Sequence, residues 1–162
     1  QHFTDEKNVQ MLSSLGVYSK EEIVSRHHIL LENYAKSVHV EASTALKMAK
    51  NEIYPVAVQY LKQMADTVNS LNLAKIDASF IVEDTKELSA LVKRMKQAIQ
   101  KLENALDYYR STRGDVEYKA LIARDRLVNS MHELRHVTDA IETRVDAKLW
   151  PIPSYVELLF DI

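Results

Sequence analysis

Residues 85–145 read TKELSALVKRMKQAIQKLENALDYYRSTRGDVEYKALIARDRLVNSMHELRHVTDAIETRV. Two apolar stripes run through this stretch. The first passes through Leu88, Val92, Met95, Ile99, Leu102, Leu106 and Tyr109. Its steps alternate four and three, the spacing that keeps one helix edge facing a partner helix. The second passes through Val116, Ala120, Ala123, Leu127, Met131, Leu134, Thr138, Ile141 and Val145. Between them stands Arg113-Gly114-Asp115. Gly114 suits the left-handed position that closes a helix, and Asp115 suits the cap of the next one. Two heptad helices joined by a tight turn predict an antiparallel coiled-coil hairpin over about 85–148, with Glu83-Asp84-Thr85 as its start.

Upstream of the hairpin, residues 1–18 form a weakly helical lead-in broken at Gly16-Val17-Tyr18. Ser19 and Glu22 are spaced as a capping box, in which each satisfies the other's backbone N–H. From there Ile23, His27, Leu30, Tyr34, Val38, Ala42, Ala45, Ala49, Ile53, Val56, Tyr60, Met64, Val68 and Leu71 recur at steps of three and four. One long helix over about 19–72 is predicted, about 80 Å if straight. Pro55 lies inside it. Proline removes the hydrogen bond to the residue four back, so it kinks a helix whose stripe continues in phase. Residues 72–84 lose the pattern and read as a connector.

The end of the chain, residues 149–162, reads LWPIPSYVELLFDI and holds the only Trp and two of the three Pro. Trp150 closes the helical pattern, and Pro151 and Pro153 stop it. Ser154 can cap a new turn whose greasy face is Tyr155, Val156, Leu158, Leu159 and Phe160. Large apolar groups left in water forfeit about 1.5–3 kcal/mol each, so the tail is read as docked. It is expected either to fold back on the first helix near its capped start or to insert into another body. Trp150 is expected to contact this domain. The architecture is therefore all-α: a long kinked N-terminal helix packed on an antiparallel helical hairpin, with a short docked C-terminal turn, all in one domain of 1–162.

Composition narrows the function classes. The 162 residues include two Gly and three Pro, too few for a turn-rich β or α/β enzyme domain. The 21 basic and 23 acidic residues are interspersed and leave a net charge of −2. That is no electrostatic footprint for nucleic acid or an anionic membrane. Cysteine is absent, which excludes disulfides and thiol chemistry. No run of about 18 apolar residues and no signal peptide is present, and a cytoplasmic location is expected. The chain opens on Gln1 rather than Met, which points to a fragment or a processed product.

The sharpest catalytic-looking string is His132-Glu133-Leu134-Arg135-His136. In a zinc hydrolase such a string puts two His on one helix face as ligands, with the Glu as general base. Against it, no third ligand follows. Glu142 lies further along the same rod and cannot fold back, and Arg135 would set a cation beside the metal. His27 and His28 are adjacent, so on a helix they diverge by about 100° and cannot share an ion. Arg113-Gly114-Asp115 matches an adhesion tripeptide, but each member has a structural task in the turn. No Gly-rich phosphate loop, nucleophile elbow or paired-carboxylate cleft is found.

Two stretches carry a family resemblance. The first spans residues 6–56 and includes S-R-x-x-I-x-L-E-x-Y-x-K from Ser25 to Lys36. The second runs from Met131-His132-Glu133-Leu134-Arg135 through Asp139 and Glu142 to W-P-x-P-x-Y-x-x-L-L-F, Trp150 to Phe160. Together they resemble the C-terminal helical region of type III glutamine synthetases. His27-His28 departs from the aromatic-acidic pair usual there. The resemblance implies a parent that condenses glutamate with ammonia, using ATP and a divalent metal (magnesium or manganese), in a dodecamer of two stacked hexameric rings. The catalytic barrel would lie before Gln1, so no catalytic, cofactor-binding or metal-binding residue is carried over to this chain. It also places His132, Glu133 and His136 inside a helix of a non-peptidase region. The expected role is structural: packing against the catalytic portion or a neighbouring subunit, without nucleic acid or membrane. The alternatives are a freestanding helical adaptor and, through His132, Glu133 and His136, a zinc hydrolase.

Overall fold

The computed structural model describes residues 2–153 and 155–160, and all regular structure among them is helical. A single turn at His2–Thr4 precedes α1, Glu6–Ser14. Helix α2, Lys20–Met48, passes through a wide π turn at Ala49–Ile53 into α3, Tyr54–Leu73. Helix α4, Ser79–Ser111, returns antiparallel. Helix α5, Val116–Ile122, runs through a second π turn, Ala123–Val128, into α6, Asn129–Glu142, and the short α7, Tyr155–Phe160, ends the described chain.

The heptad stripe of α4 is the spine. Leu88, Val92, Met95, Ile99, Leu102, Leu106 and Tyr109 are all buried, with Met95, Leu102 and Leu106 fully so. Ala98 and Ala105 join them, which lets two neighbours press on the same helix. Helix α6 and the π turn before it pack against it, while α5 packs on α2; together they bury Ala120, Ala123, Leu127, Leu134 and Ile141 as expected, but Ser130 and Val137 are also buried while Met131 and Thr138 are only half covered. The reason is that α6 has two neighbours. Ser130 and Val137 turn towards α4, whereas Met131 and Thr138 turn towards α2 and the tail. A helix between two partners needs a stripe wider than a two-helix seam.

The long first helix forms through its capping box. Ser19 Oγ accepts from the Glu22 N–H at 3.2 Å, and the Ser19 N–H donates to the Glu22 carboxylate at 2.7 Å. Those bonds hold the Glu22 carboxyl below its ordinary pKa, the Ser19 backbone bond being the larger cause. Pro55 does not end the helix. Backbone angles remain right-handed helical at Met48, Ile53 and Tyr54, and the Tyr54 N–H reaches five residues back to the Ala49 carbonyl. The missing proline N–H is thus absorbed by one wide turn rather than by a break. Two members of the expected stripe fall outside it: Leu30 and Tyr34 are exposed, and Leu31 and Ala35 take the inward positions.

Three expected boundaries move. Helix α4 starts at Ser79, not near 85, because the Asp77 carboxylate takes both the backbone N–H (3.0 Å) and the hydroxyl (2.9 Å) of Ser79. The connector shrinks to five residues, Ala74–Ala78. At the other end α6 stops at Glu142 rather than running to about 148. There Thr143 turns its hydroxyl onto the Ala140 carbonyl, and Asp146 closes a separate turn by accepting from the Lys148 N–H at 2.9 Å. Short polar side chains that bond nearby backbone compete with helix, and here they act well before Pro151.

Gly114 is not in the left-handed conformation either; among the described residues only Gly16 (φ 64°) and Lys75 (φ 57°) have positive φ. Helix α4 ends instead with Thr112 extended, φ −70° and ψ 125°, its hydroxyl on the Tyr108 carbonyl. What Gly114 provides is room: a Cβ there would sit 2.8 Å from Tyr118 Cδ1. Asp115 caps α5 as expected, accepting from the Tyr118 N–H at 2.8 Å. The left-handed closures lie elsewhere. Val17 N–H to Leu12 and Gly16 N–H to Ser13 close α1, and Ile76 N–H to Leu71 and Lys75 N–H to Asn72 close α3. These are the same Schellman arrangement, built once on glycine and once on lysine.

Candidate functional site: the seam bulge and the docked tail

The tail meets the rest of the chain at the wide turn of the first helix, not near its capped start. Ala45, Met48, Ala49 and Ile53 form one wall of a cleft of about 480 Å³, and Met131, Leu134 and Thr138 of α6 form another. Trp150, Ile152 and Pro153 close it. Leu149, Trp150 and Ile152 are half-buried and pack on the main apolar cluster. The cradle follows from sequence: three small or flexible residues, Ala45, Met48 and Ala49, leave room on α2 beside the turn that Pro55 widens. Trp150 therefore does contact this domain. Leu158 and Leu159 are 64% and 71% exposed. Ser154 lies outside the described residues, as do the side chains of Tyr155, Val156 and Phe160.

The H-E-x-x-H string lies on the solvent side of α6. His132, Glu133 and His136 are all exposed. Both Glu133 carboxylate oxygens are taken by Lys101 Nζ of α4, at 2.6 and 2.7 Å, so the would-be general base is held as a surface ion pair between two helices. Arg135 pairs with Asp139 at 3.6 Å. Among the described residues no three His, Cys, Asp or Glu side chains converge as a metal site would require. The His27 and His28 rings lie near each other, centroids 6.3 Å apart and tilted by 37°, but in different surroundings. His27 is buried with Nδ1 3.8 Å from Glu117 of α5, and His28 is exposed.

His39 lies beside the stripe, not on it, yet its ring stacks on Tyr109 with centroids 5.1 Å apart and 20° between planes. Its Nε2 is buried with no hydrogen-bond partner. Burial, aided by the charge of Arg110, holds the imidazole below its usual pKa. Tyr109 donates its hydroxyl to the Ala35 carbonyl at 3.3 Å, and burial pushes its phenol up. A polar ring next to an inward Val is a weak signal, since only the partner helix reveals which side of the stripe is covered.

The comparisons follow this architecture. Residues 1–72, which end one residue short of the end of α3, match the family described as Glutamine synthetase C-terminal domain. Over 98% of its length the chain is 28% identical to the Type-3 glutamine synthetase of Dictyostelium discoideum, covering 22% of that protein. It is 29% identical to the glutamine synthetase of Butyrivibrio fibrisolvens over 99% of the chain and 23% of that protein. The corresponding figures for Bacteroides fragilis are 27%, 98% and 22%. The chain is thus similar to glutamine synthetase C-terminal domains over its first 72 residues and to the end of whole glutamine synthetases over nearly all of its length. It spans a little over a fifth of the length of these curated relatives. The family match covers the lead-in and the long helix, while the three relatives extend the likeness through the hairpin and the tail. No helix among the described residues is long and apolar enough to cross a membrane.

Proposed function

We propose that this domain is a non-catalytic packing element of a larger glutamine synthetase polypeptide. The parent joins glutamate and ammonia at the expense of ATP in the cytoplasm. On this reading ATP and the divalent metal are held by the remainder of the polypeptide, not by this domain. His132 and His136 are surface residues rather than zinc ligands. The domain packs against the catalytic portion and against neighbouring subunits of a dodecamer. The observation that carries the reading is the span of the likeness: almost the whole chain aligns with proteins of which it makes up 22–23%. A freestanding adaptor would have no reason to match only as a fifth of longer enzymes. The chemistry of the domain agrees, since its polar side chains are used in caps and inter-helix ion pairs such as Lys50–Glu103 and Lys101–Glu133.

The test is ATP-dependent γ-glutamyl transfer by the full-length parent and by the purified 1–162 chain, side by side. Activity in the parent and none in the 1–162 chain is the expected result. Transfer above background by residues 1–162 alone would overturn the non-catalytic assignment. Stoichiometric zinc that is lost on His132→Gln with His136→Gln would overturn the surface assignment of that pair.

A further inference from the structure

Helix α5 lies beside the first half of α2 and runs in the same direction, so that Glu117 meets His27 and Arg124 meets Tyr34. Between the two helices is a cleft of about 410 Å³, also lined by Thr4 of the first turn. It shares no residue with the cleft under the tail. Its middle is apolar, with Leu31, Ala120 and Leu121, and Leu121 is left 40% exposed. Its two ends are polar: His27 and Glu117 at one, Tyr34 and Arg124 at the other. His27 is only 9% exposed. Among the described residues its side chain makes no hydrogen bond, and the Glu117 carboxylate stays 3.8 Å from its Nδ1. A buried polar ring without a partner, set in the wall of a cleft, is a group that a bound molecule satisfies.

The donors and acceptors at each end define what fits. At the first end the Glu117 carboxylate and an unprotonated imidazole nitrogen both accept, which suits an ammonium group. A metal ion does not suit it, because His27 and Glu117 are the only ligating side chains of that kind in the lining and Arg124 stands beside them. At the second end Arg124 gives Nε and one terminal nitrogen to Asp125, at 2.6 and 3.1 Å. Its other terminal nitrogen and the Tyr34 hydroxyl remain as donors, which suits a carboxylate. The ends are seven residues apart on each helix, about 10 Å. An α-amino acid, with its charges two bonds apart, is too short to reach both. The apolar middle offers no partner for peptide groups, which would be covered unpaired there. We propose that the cleft binds a linear ω-amino acid: the ammonium on Glu117 and His27, the carboxylate on Arg124 and Tyr34, and a polymethylene spacer over Leu31 and Leu121.

The experiment titrates 6-aminohexanoate into the 1–162 chain, with binding followed by calorimetry and by the His27 ring signals in NMR spectra. Saturable binding that shifts those signals is expected, about tenfold tighter than for hexylamine, hexanoate or 3-aminopropanoate, each of which lacks one charge or the length. Glu117→Gln and Arg124→Gln, both at exposed positions, should each weaken binding about tenfold with helicity unchanged. Glu133→Gln, outside the cleft, should leave it unchanged. No saturation at millimolar concentration, equal binding of any of the three analogues, or binding that survives both cleft variants would overturn the proposal. So would a full-length parent that fails to bind what the 1–162 chain binds, since the rest of the polypeptide would then fill the cleft.

Discussion

Leu102 and Leu73 sit on two long antiparallel helices of the same molecule, one fully buried and the other 86% exposed. In the trunk, α4 is clamped by α2 and α3 on one side and by α6 with the π turn before it on the other, and every stripe position loses its water. In the arm formed by the end of α3 and the start of α4, the same helical pattern continues with one neighbour, and burial falls to half. Helix formation is a local matter of spacing and caps, whereas core formation depends on how many elements arrive at the same place.

The sharpest way to break this comparison is to truncate both leucines. Leu102→Ala should lower unfolding free energy by about 2–5 kcal/mol, because a cavity opens in a packed interior. Leu73→Ala should stay within about 0.5 kcal/mol in the isolated domain. Urea denaturation followed by circular dichroism checks both, and comparable losses would mean the arm is as tightly packed as the trunk.

The tail lies between these extremes. Trp150→Ala should cost about 2 kcal/mol, below the 3–5 kcal/mol of a fully buried aromatic because the ring is only half covered. As Trp150 is the only tryptophan, its fluorescence reports the docking directly. A blue-shifted, quencher-resistant emission is expected; a water-like spectrum in the folded domain would show the cleft to be empty.

The two Schellman closures allow a finer comparison. Lys75→Gly should raise stability by about 1 kcal/mol by relieving a left-handed non-glycine residue, and Gly16→Ala should lower it by a similar amount. Gly114→Ala is expected to be milder than Gly16→Ala, since its nearest obstacle is the ring of a half-exposed, movable Tyr118. Equal costs at positions 16 and 114 would contradict the backbone assignment. Thermal melts resolve differences of this size.

The smallest expected effect is the pH response of His39. Its folded-state pKa is lowered, so the unfolded chain binds the extra proton more readily. Stability is full above the unfolded value of about 6.5 and declines as pH falls from there towards the lower folded value. Carboxylates held down by bonds, such as Glu22 and Asp77, act only at more acid pH. His39→Phe should therefore flatten the stability profile between pH 7 and 5; an unchanged slope would assign the response to another histidine.

The trunk was legible because its signals are local or periodic. The alternating four-and-three steps of 88–109 forecast seven buried residues, and the Ser19–Glu22 box and the Asp115 cap form as their spacing demands. The errors share a cause. A stripe of fixed width predicts Leu30, Tyr34, Met131 and Thr138 inward, but the inward arc of each helix depends on its neighbours. Residue type predicts a left-handed closure at Gly114, while Lys75, a residue with no preference for that conformation, occupies one. The H-E-x-x-H string is a case where three correct letters specify no chemistry: the Glu is engaged by a lysine 32 positions away, which spacing along the chain cannot reveal.

By itself the sequence determined the all-α class, the long first helix with its tolerated Pro55, the hairpin seam and the family resemblance. Each depends on interactions within about four residues or on a repeat that any helix must express. The tertiary structure alone decided where the tail lies, that α6 stops at Glu142, that half-buried His39 stacks on Tyr109 and that Leu73, Ile76 and Phe80 are exposed. These depend on which surfaces meet across tens of residues. Burial is a property of pairs of elements in space, and a single helix's pattern states only which face is available to be covered.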